Sequence, residues 1–238
     1  MTVDRVPSRE LPDSITRYFR ALDDGDGLRA SSAFAADAVM KVPGPPHMPP
    51  GHRIVLRGTE ITEMLCARGA PSWRHQIVDG AQDGALWLLE GAVIGGTLDA
   101  SFLVAIELDS SGMFRSYEAF RSDGRVARTH ASQFEDRPSA AQFRATIEGW
   151  WADSSTYVRS DGDVPNPFVD SMPSDGQLEW LGVLPCEHVA VGTRLGFALG
   201  SARGHAHERY RFMMSADRSG TDSWEHVLLC WAVEEAHP

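Results

Sequence analysis

Few side chains in this sequence are suited to chemistry, and they are scattered. His75 stands in the run SWRHQIV. An imidazole with an ordinary pKa of about 6.5 can take or give a proton at neutral pH. The same residue also reads as a strand histidine whose ring is satisfied by a neighbouring carbonyl. Tyr18, in RYFRALDD, carries a hydroxyl that can donate to a developing enolate oxygen, or it fills core with that hydroxyl at the rim. Asp37 can orient His75 or a water, although an aspartate just after a short helix commonly caps it or pairs with a cation. Arg115 and Arg121, in FRSYEAFR, suit a carboxylate or an enolate, and equally a surface pair with Glu118 or Asp123.

Other patterns point away from metals and cofactors. His205 and His207 lie two apart in GHAHERYRF, with His188 and His226 on neighbouring runs. Histidines spaced this way on a strand can chelate a transition metal, but such pairs are common on exposed strands, and no metal is expected. The glycines of VIGG and FALGS are followed by no helix, so they form no phosphate loop. No cofactor is expected. Cys66, Cys186 and Cys230 are odd in number and far apart, which reads as reduced thiols in a cytoplasmic protein. A net charge of -11 excludes nucleic acid and anionic membrane as partners, because phosphate binding needs a basic face. No apolar run reaches the roughly 18 residues of a membrane span. The stretch MTVDRVPSRELPDS has no apolar core of the kind a secretory signal needs.

The elements that must position these residues fall into two halves. Ile15, Tyr18, Phe19 and Leu22 recur at helical spacing, with Asp13 or Ser14 as cap and Gly25 as stop. A second short helix is expected over Leu28–Phe34, capped by Asp26. Pro43, Pro45, Pro46, Pro49 and Pro50 make a loop. Thr59 then caps a helix carrying Ile61, Met64 and Leu65. Strands are expected at Trp73–Val78, Leu86–Ile94, Ala100–Leu108 and Met113–Arg121, with AQDG and DSSG as turns. Helices first and strands after predict an α+β domain, helices closing one face of a curved antiparallel sheet. Beyond the polar linker Gln133–Pro138, a helix is expected over Ala140–Ala152, then strand-like runs at Leu178–Leu184, His188–Leu199, His207–Met214 and Trp224–Val233. The last three echo the order and length of runs in the first half. Residues 8–132 therefore read as one domain and 138–238 as a degenerate second copy, with one larger barrel as the alternative.

The run RYFRALDDGD, then FAADAV before Pro43, Gly58 with Glu60 and Ile61, His75 with Ile77, and LDSSGMF resemble the SnoaL-like branch of the nuclear transport factor 2-like superfamily. The likeness covers residues 10–125, about half of the chain. It implies a cone-shaped α+β domain and a pocket closed by helices. It places Tyr18 at the oxyanion tyrosine of the steroid isomerases and His75 at the strand histidine of the scytalone-type dehydratases. The isomerases' two aspartates fall near Val42 and Val104, and the carboxylates of the epoxide hydrolases fall in Glu90–Val93 and near Ala119, so both of those machineries are incomplete. By the same comparison Phe102, Val104, Ile106, Arg115, Tyr117 and Arg121 face inward with Trp87 and Leu89, while Glu90, Phe114, Glu118 and Phe120 face outward. Domains of this superfamily commonly pair through their outer sheet faces. The chain is then either a monomer with an internal pseudo-dimer or a homodimer.

Such a lining suits a small apolar molecule bearing one or two oxygens. The reading is a cofactor-independent cyclase, dehydratase or isomerase of a polyketide- or terpenoid-like metabolite. His75 moves the proton, Tyr18 or Arg115 holds the oxygen, and Trp87, Phe102 and Tyr117 shape the substrate. The alternatives are a non-catalytic binding or assembly protein and a polyether-type cyclising epoxide hydrolase.

Overall fold

In the computed structural model, residues 11–45, 48, 51–95, 100–121, 134, 138–154, 186–203, 209–218 and 224–234 are described. Helix α1 (Asp13–Asp23) buries Ile15, Tyr18, Phe19 and Leu22, the side their spacing defines. Pro12 is its N-cap, and neither Asp13 nor Ser14 caps it. Helix α2 (Gly27–Ser31) starts at the expected Asp26, whose carboxylate accepts from the Arg29 N–H at 2.9 Å. It stops before Phe34 because the Ser31 and Ser32 hydroxyls bond back to the Leu28 and Arg29 carbonyls. Gly58, not Thr59, precedes α3 (Thr59–Ala67), and the Glu60 carboxylate accepts from the Arg57 N–H at 2.9 Å.

Six strands form the first sheet: β1 (Phe34–Pro43), β2 (Arg53–Arg57), β3 (Arg74–Asp83), β4 (Leu86–Ile94), β5 (Ala100–Leu108) and β6 (Phe114–Arg121). Their order is β2-β1-β6-β5-β4-β3, and every pair is antiparallel except β1 with β6. Strand alternation gives each face its own core. Trp87, Leu89, Val104, Ile106 and Tyr117 pack with Tyr18, Ile61 and Leu65 under the helices. Leu86, Leu88, Leu103, Ala105 and Phe120 face the other way.

One strand departs from simple alternation. A register shift opposite Glu107 and Leu108 leaves Arg115 as the extra residue between paired Phe114 and Ser116. Phe114, expected outward, therefore enters the inner core, 5.2 Å from the Tyr18 ring centre. Arg115, expected inward, has a 66%-exposed side chain and pairs with Glu107 at 3.7 Å.

Helix α4 (Ala140–Ser154) opens on a reciprocal cap. The Ser139 N–H donates to Gln142 Oε1 at 2.8 Å, and the Gln142 N–H donates to Ser139 Oγ at 3.2 Å. The run expected over His188–Leu199 is two strands, β7 (Cys186–Val191) and β8 (Leu195–Arg203), turning at Gly192. With β9 (Arg209–Asp217) and β10 (Glu225–Glu234) they form a second antiparallel sheet in the order β10-β9-β8-β7. The expected run Leu178–Leu184, the His205 and His207 pair and most of the linker lie outside the described residues, as does the His226 side chain.

The sheets stay open and stack face to face, β3 on β7, β4 on β8, β5 on β9 and β6 on β10. Phe120, Leu88 and Leu103 meet Phe197, Leu199 and Met213 between them, and α4 covers the far face of the second sheet through Phe143 and Ile147. The layers thus run helices, sheet, sheet, helix. Two buried acids cross the interface. Glu90 accepts from the Ser215 hydroxyl. Asp79 is 0% exposed and accepts from Thr193 Oγ1 at 2.9 Å and from the N–H groups of Arg194 and Leu195 at 2.7 and 2.9 Å. A Cβ at Gly192 would overlap this carboxylate, so the turn needs glycine there. Among the described residues no helix is long and apolar enough to cross a membrane.

Candidate active site

His75 is the second residue of β3, and its partner is the last residue of α1. Its Nδ1 lies 2.7 Å from Asp23 Oδ1, and its backbone N–H donates to the same carboxylate at 3.1 and 3.2 Å. A carboxylate only accepts, so the nitrogen facing it carries the proton and Nε2 keeps a free lone pair. No described residue bonds Nε2. The side chain is 8% exposed and sits among three rings, with centres at 5.3 Å (Phe19), 4.9 Å (Trp73) and 5.6 Å (Phe102). Phe102 reaches this position by lying across Gly91, its register partner, where a Cβ would overlap the ring.

Local chain geometry brings Asp23 here. Gly25 takes a φ of 71°, and a Cβ on it would stand 2.6 Å from the Ala70 Cα. The end of α1 therefore lies against the connection from α3 to β3. An acid in the last turn opposes the helix dipole, so it gains from external donors. His75 supplies them.

Burial pushes the His75 pKa below its ordinary value, the Asp23 carboxylate raises it in part, and the Arg68 guanidinium lowers it again. The net direction is down, so the imidazole is neutral at neutral pH and Nε2 is a base. Arg68 is exposed and stacks over Trp73 at 4.7 Å. Deeper in the same core, the Tyr18 and Tyr117 rings meet edge-on with centres 5.4 Å apart, and Tyr18 is only 1% exposed. Burial raises Tyr18 well above the usual phenol range and Tyr117 to about 12. Both stay protonated and are hydrogen-bond donors.

Of the residues expected at the site, His75, Tyr18, Trp87, Phe102, Val104 and Tyr117 come together on the inner face. Asp37 does not: it is exposed on β1, and the carboxylate on His75 belongs to Asp23. Arg115 points away because of the shift in β6. Arg121 is exposed at the register of Phe102, at the end of the sheet. Sequence reasoning missed Asp23 and Arg68. Its one clue was the acidic pair Asp23 and Asp24 at a helix C-terminus, where acids are unfavourable.

A separate cavity of about 780 Å³ lies between the sheets, lined by residues including Arg57, Asp83, Glu107, Glu118, His188 and Arg211. Most of its charges are spent on one another. Glu118 contacts Arg53, Lys41 and Arg211 at 3.2, 3.3 and 3.4 Å, and His188 bonds Asp83 at 2.9 Å. Burial alone would raise the Glu118 carboxyl, but the three cations hold it below the usual range. This cluster ties the sheets together. Among the described residues no group of three or more metal-ligating side chains is found.

No family model matches the chain, and no curated protein does. Solved structures do match in part. A candidate polyketide cyclase of Sinorhizobium meliloti is 23% identical, with a TM-score of 0.38, covering 46% of this chain and 94% of its own. SalBIII, an epoxide hydrolase/cyclase-like enzyme in pyran ring formation of the polyether salinomycin, is 16% identical with a TM-score of 0.38, over 47% and 89%. An NTF-2-like protein of unknown function from Burkholderia xenovorans is 17% identical with a TM-score of 0.38, over 63% and 94%. Likenesses of this strength say nothing of activity or substrate.

Proposed function

We propose that the chain is a cofactor-independent acid-base enzyme acting on a small, apolar, oxygenated metabolite of polyketide or terpenoid type. The observation that carries this is the His75–Asp23 pair, at 2.7 Å, set among three aromatic rings. His75 Nε2 removes a proton from a carbon beside a carbonyl, and the electron pair moves to the carbonyl oxygen. The protonated hydroxyl of Tyr18 or Tyr117 donates to that enolate. Asp23 stabilises the imidazolium, which then returns its proton to a carbon or to a departing hydroxyl. Ring closure, dehydration and isomerisation all use these two transfers, and the aromatic walls select among them by shape.

A second reading is a non-catalytic binding protein. It is favoured by Val42 and Val104, which stand where the resemblance to the steroid isomerases would put their two aspartates. The test is turnover of compounds in a metabolite extract, followed by mass spectrometry, for wild type, His75→Gln and Asp23→Asn. Loss of the proton shuttle in His75→Gln should slow turnover by about 10²–10⁴-fold. Product affinity should change much less, because proton transfer is a transition-state interaction. Wild-type turnover by His75→Gln would sink the assignment of the base. Absence of any turnover by the wild type would favour the binding protein. Whether two copies of the chain associate is a separate matter. We propose a monomer, because the outer face of the first sheet is already covered by the second.

A further inference from the structure

We propose that Arg68 is an anion anchor at the mouth of the His75 site, and that the substrate carries a carboxylate or similar anionic oxygen on an apolar body. This rests on the proposal above that the His75 site binds a small molecule, and it names the class of that molecule.

Three observations place Arg68 in this role. First, it immediately follows α3 and is exposed, yet its guanidinium lies 4.7 Å over the Trp73 ring, whose centre is 4.9 Å from that of His75. A guanidinium stacked on an indole keeps its N–H edge free for a planar oxyanion. Second, no described acid pairs with it. The inter-sheet arginines Arg53 and Arg211 are instead spent on Glu118. The chain has 33 acidic and 22 basic side chains, so a cation with no acid partner here is not explained by a general excess of charge. Third, its charge acts at His75, Tyr18 and Tyr117, a downward pull that at the two tyrosines burial outweighs. A charge felt at all three groups also acts on an anion held among them.

The net charge of -11 gives this position a use. Such a chain repels anions at a distance, so capture of an anionic molecule needs a local cation on the rim. Phe19, Trp73 and Phe102 would hold the apolar body, and Arg68 the anionic end. Arg68 is thereby a binding and positioning residue, while His75 remains the base.

The test compares two probes of equal size, 2-naphthoate and 2-naphthylmethanol, by quenching of tryptophan fluorescence. The wild type should bind the naphthoate about tenfold tighter or more. Arg68→Gln should erase that preference and leave the alcohol within about twofold, while Arg68→Lys keeps part of it. In Arg68→Gln the His75 pKa, followed by NMR, should rise, because a cation that depresses it is gone. Equal affinities in the wild type, or a preference that survives in Arg68→Gln, would overturn the proposal. Equal weakening of both probes would reduce Arg68 to a support for Trp73, and no binding of either probe would also refute it. If His75→Gln retains turnover while Arg68→Gln loses the preference, the base assignment fails and the anchor stands.

Discussion

Asp79 is the sharpest structural test of the two-sheet arrangement. Its carboxylate lies on β3 of the first sheet, and its donors are Thr193 and Arg194 in the turn between β7 and β8 of the second and Leu195 at the start of β8. Asp79→Ala leaves the N–H groups of Arg194 and Leu195 without their acceptor. The Thr193 hydroxyl can rotate to another partner. Two stranded N–H groups in a buried setting cost about 1–3 kcal/mol each, or about 2–6 kcal/mol together. Removing a buried charge recovers some desolvation energy, so a net loss of about 2–4 kcal/mol is expected. That is a large part of the roughly 5–15 kcal/mol that stabilises a domain. Asp79→Asn should cost less, since both N–H groups bond one oxygen, Oδ2, which an amide oxygen can replace while its NH2 donates to the Thr193 hydroxyl. Gly192→Ala should also destabilise, because its Cβ would overlap the carboxylate. Because Asp79→Ala frees that space, Gly192→Ala should cost less in the double variant than alone. The assay is urea unfolding followed by tryptophan fluorescence and far-UV circular dichroism. A loss below about 0.5 kcal/mol for Asp79→Ala, the range of an ordinary surface substitution, would refute the view that this carboxylate fastens the second sheet to the first.

Stability should fall as the solution is acidified, in two stages. The folded-state pKa of His75 lies below 6.5, so the unfolded chain binds more protons between that value and 6.5, and stability drops as pH falls through this window. Glu118 and Glu187 lie below 4.5, so their contribution, present above 4.5, is lost further down. His75→Gln should flatten the first stage alone, and Asp23→Asn should push the His75 pKa lower still, both readable by chemical denaturation and NMR titration. Among the three thiols, Cys66 is exposed, Cys230 is buried, and burial raises Cys186 to about 12. A thiol reagent should label Cys66 alone quickly in the native protein, and fast labelling of Cys186 would contradict the packing between β7 and α4.

Which residues share a face is legible in the spacing of the chain. Ile15, Tyr18, Phe19 and Leu22 follow helical spacing, and α1 buries all four. Leu86–Ile94 and Ala100–Leu108 read as short apolar strands, and both strands occupy those bounds, with Trp87, Leu89, Val104 and Ile106 on one face, turned to the inner core. Period is a local property, set by the backbone of each element, so it can be read from neighbours in the chain. The partner of His75 is not local. Asp23 lies 52 residues away and meets the ring only because Gly25 lets α1 end against Ala70. Asp37, nearer in the chain, is exposed. On β6 a single extra residue reversed the phase, moving Phe114 inward and Arg115 outward, and the residue pattern of that strand contains no mark of the shift. The same holds for Asp79, whose donors are more than a hundred positions away in the second sheet. Alternation fixes a side chain's face, but its partner on that face is decided by packing between distant elements, which the sequence encodes only collectively.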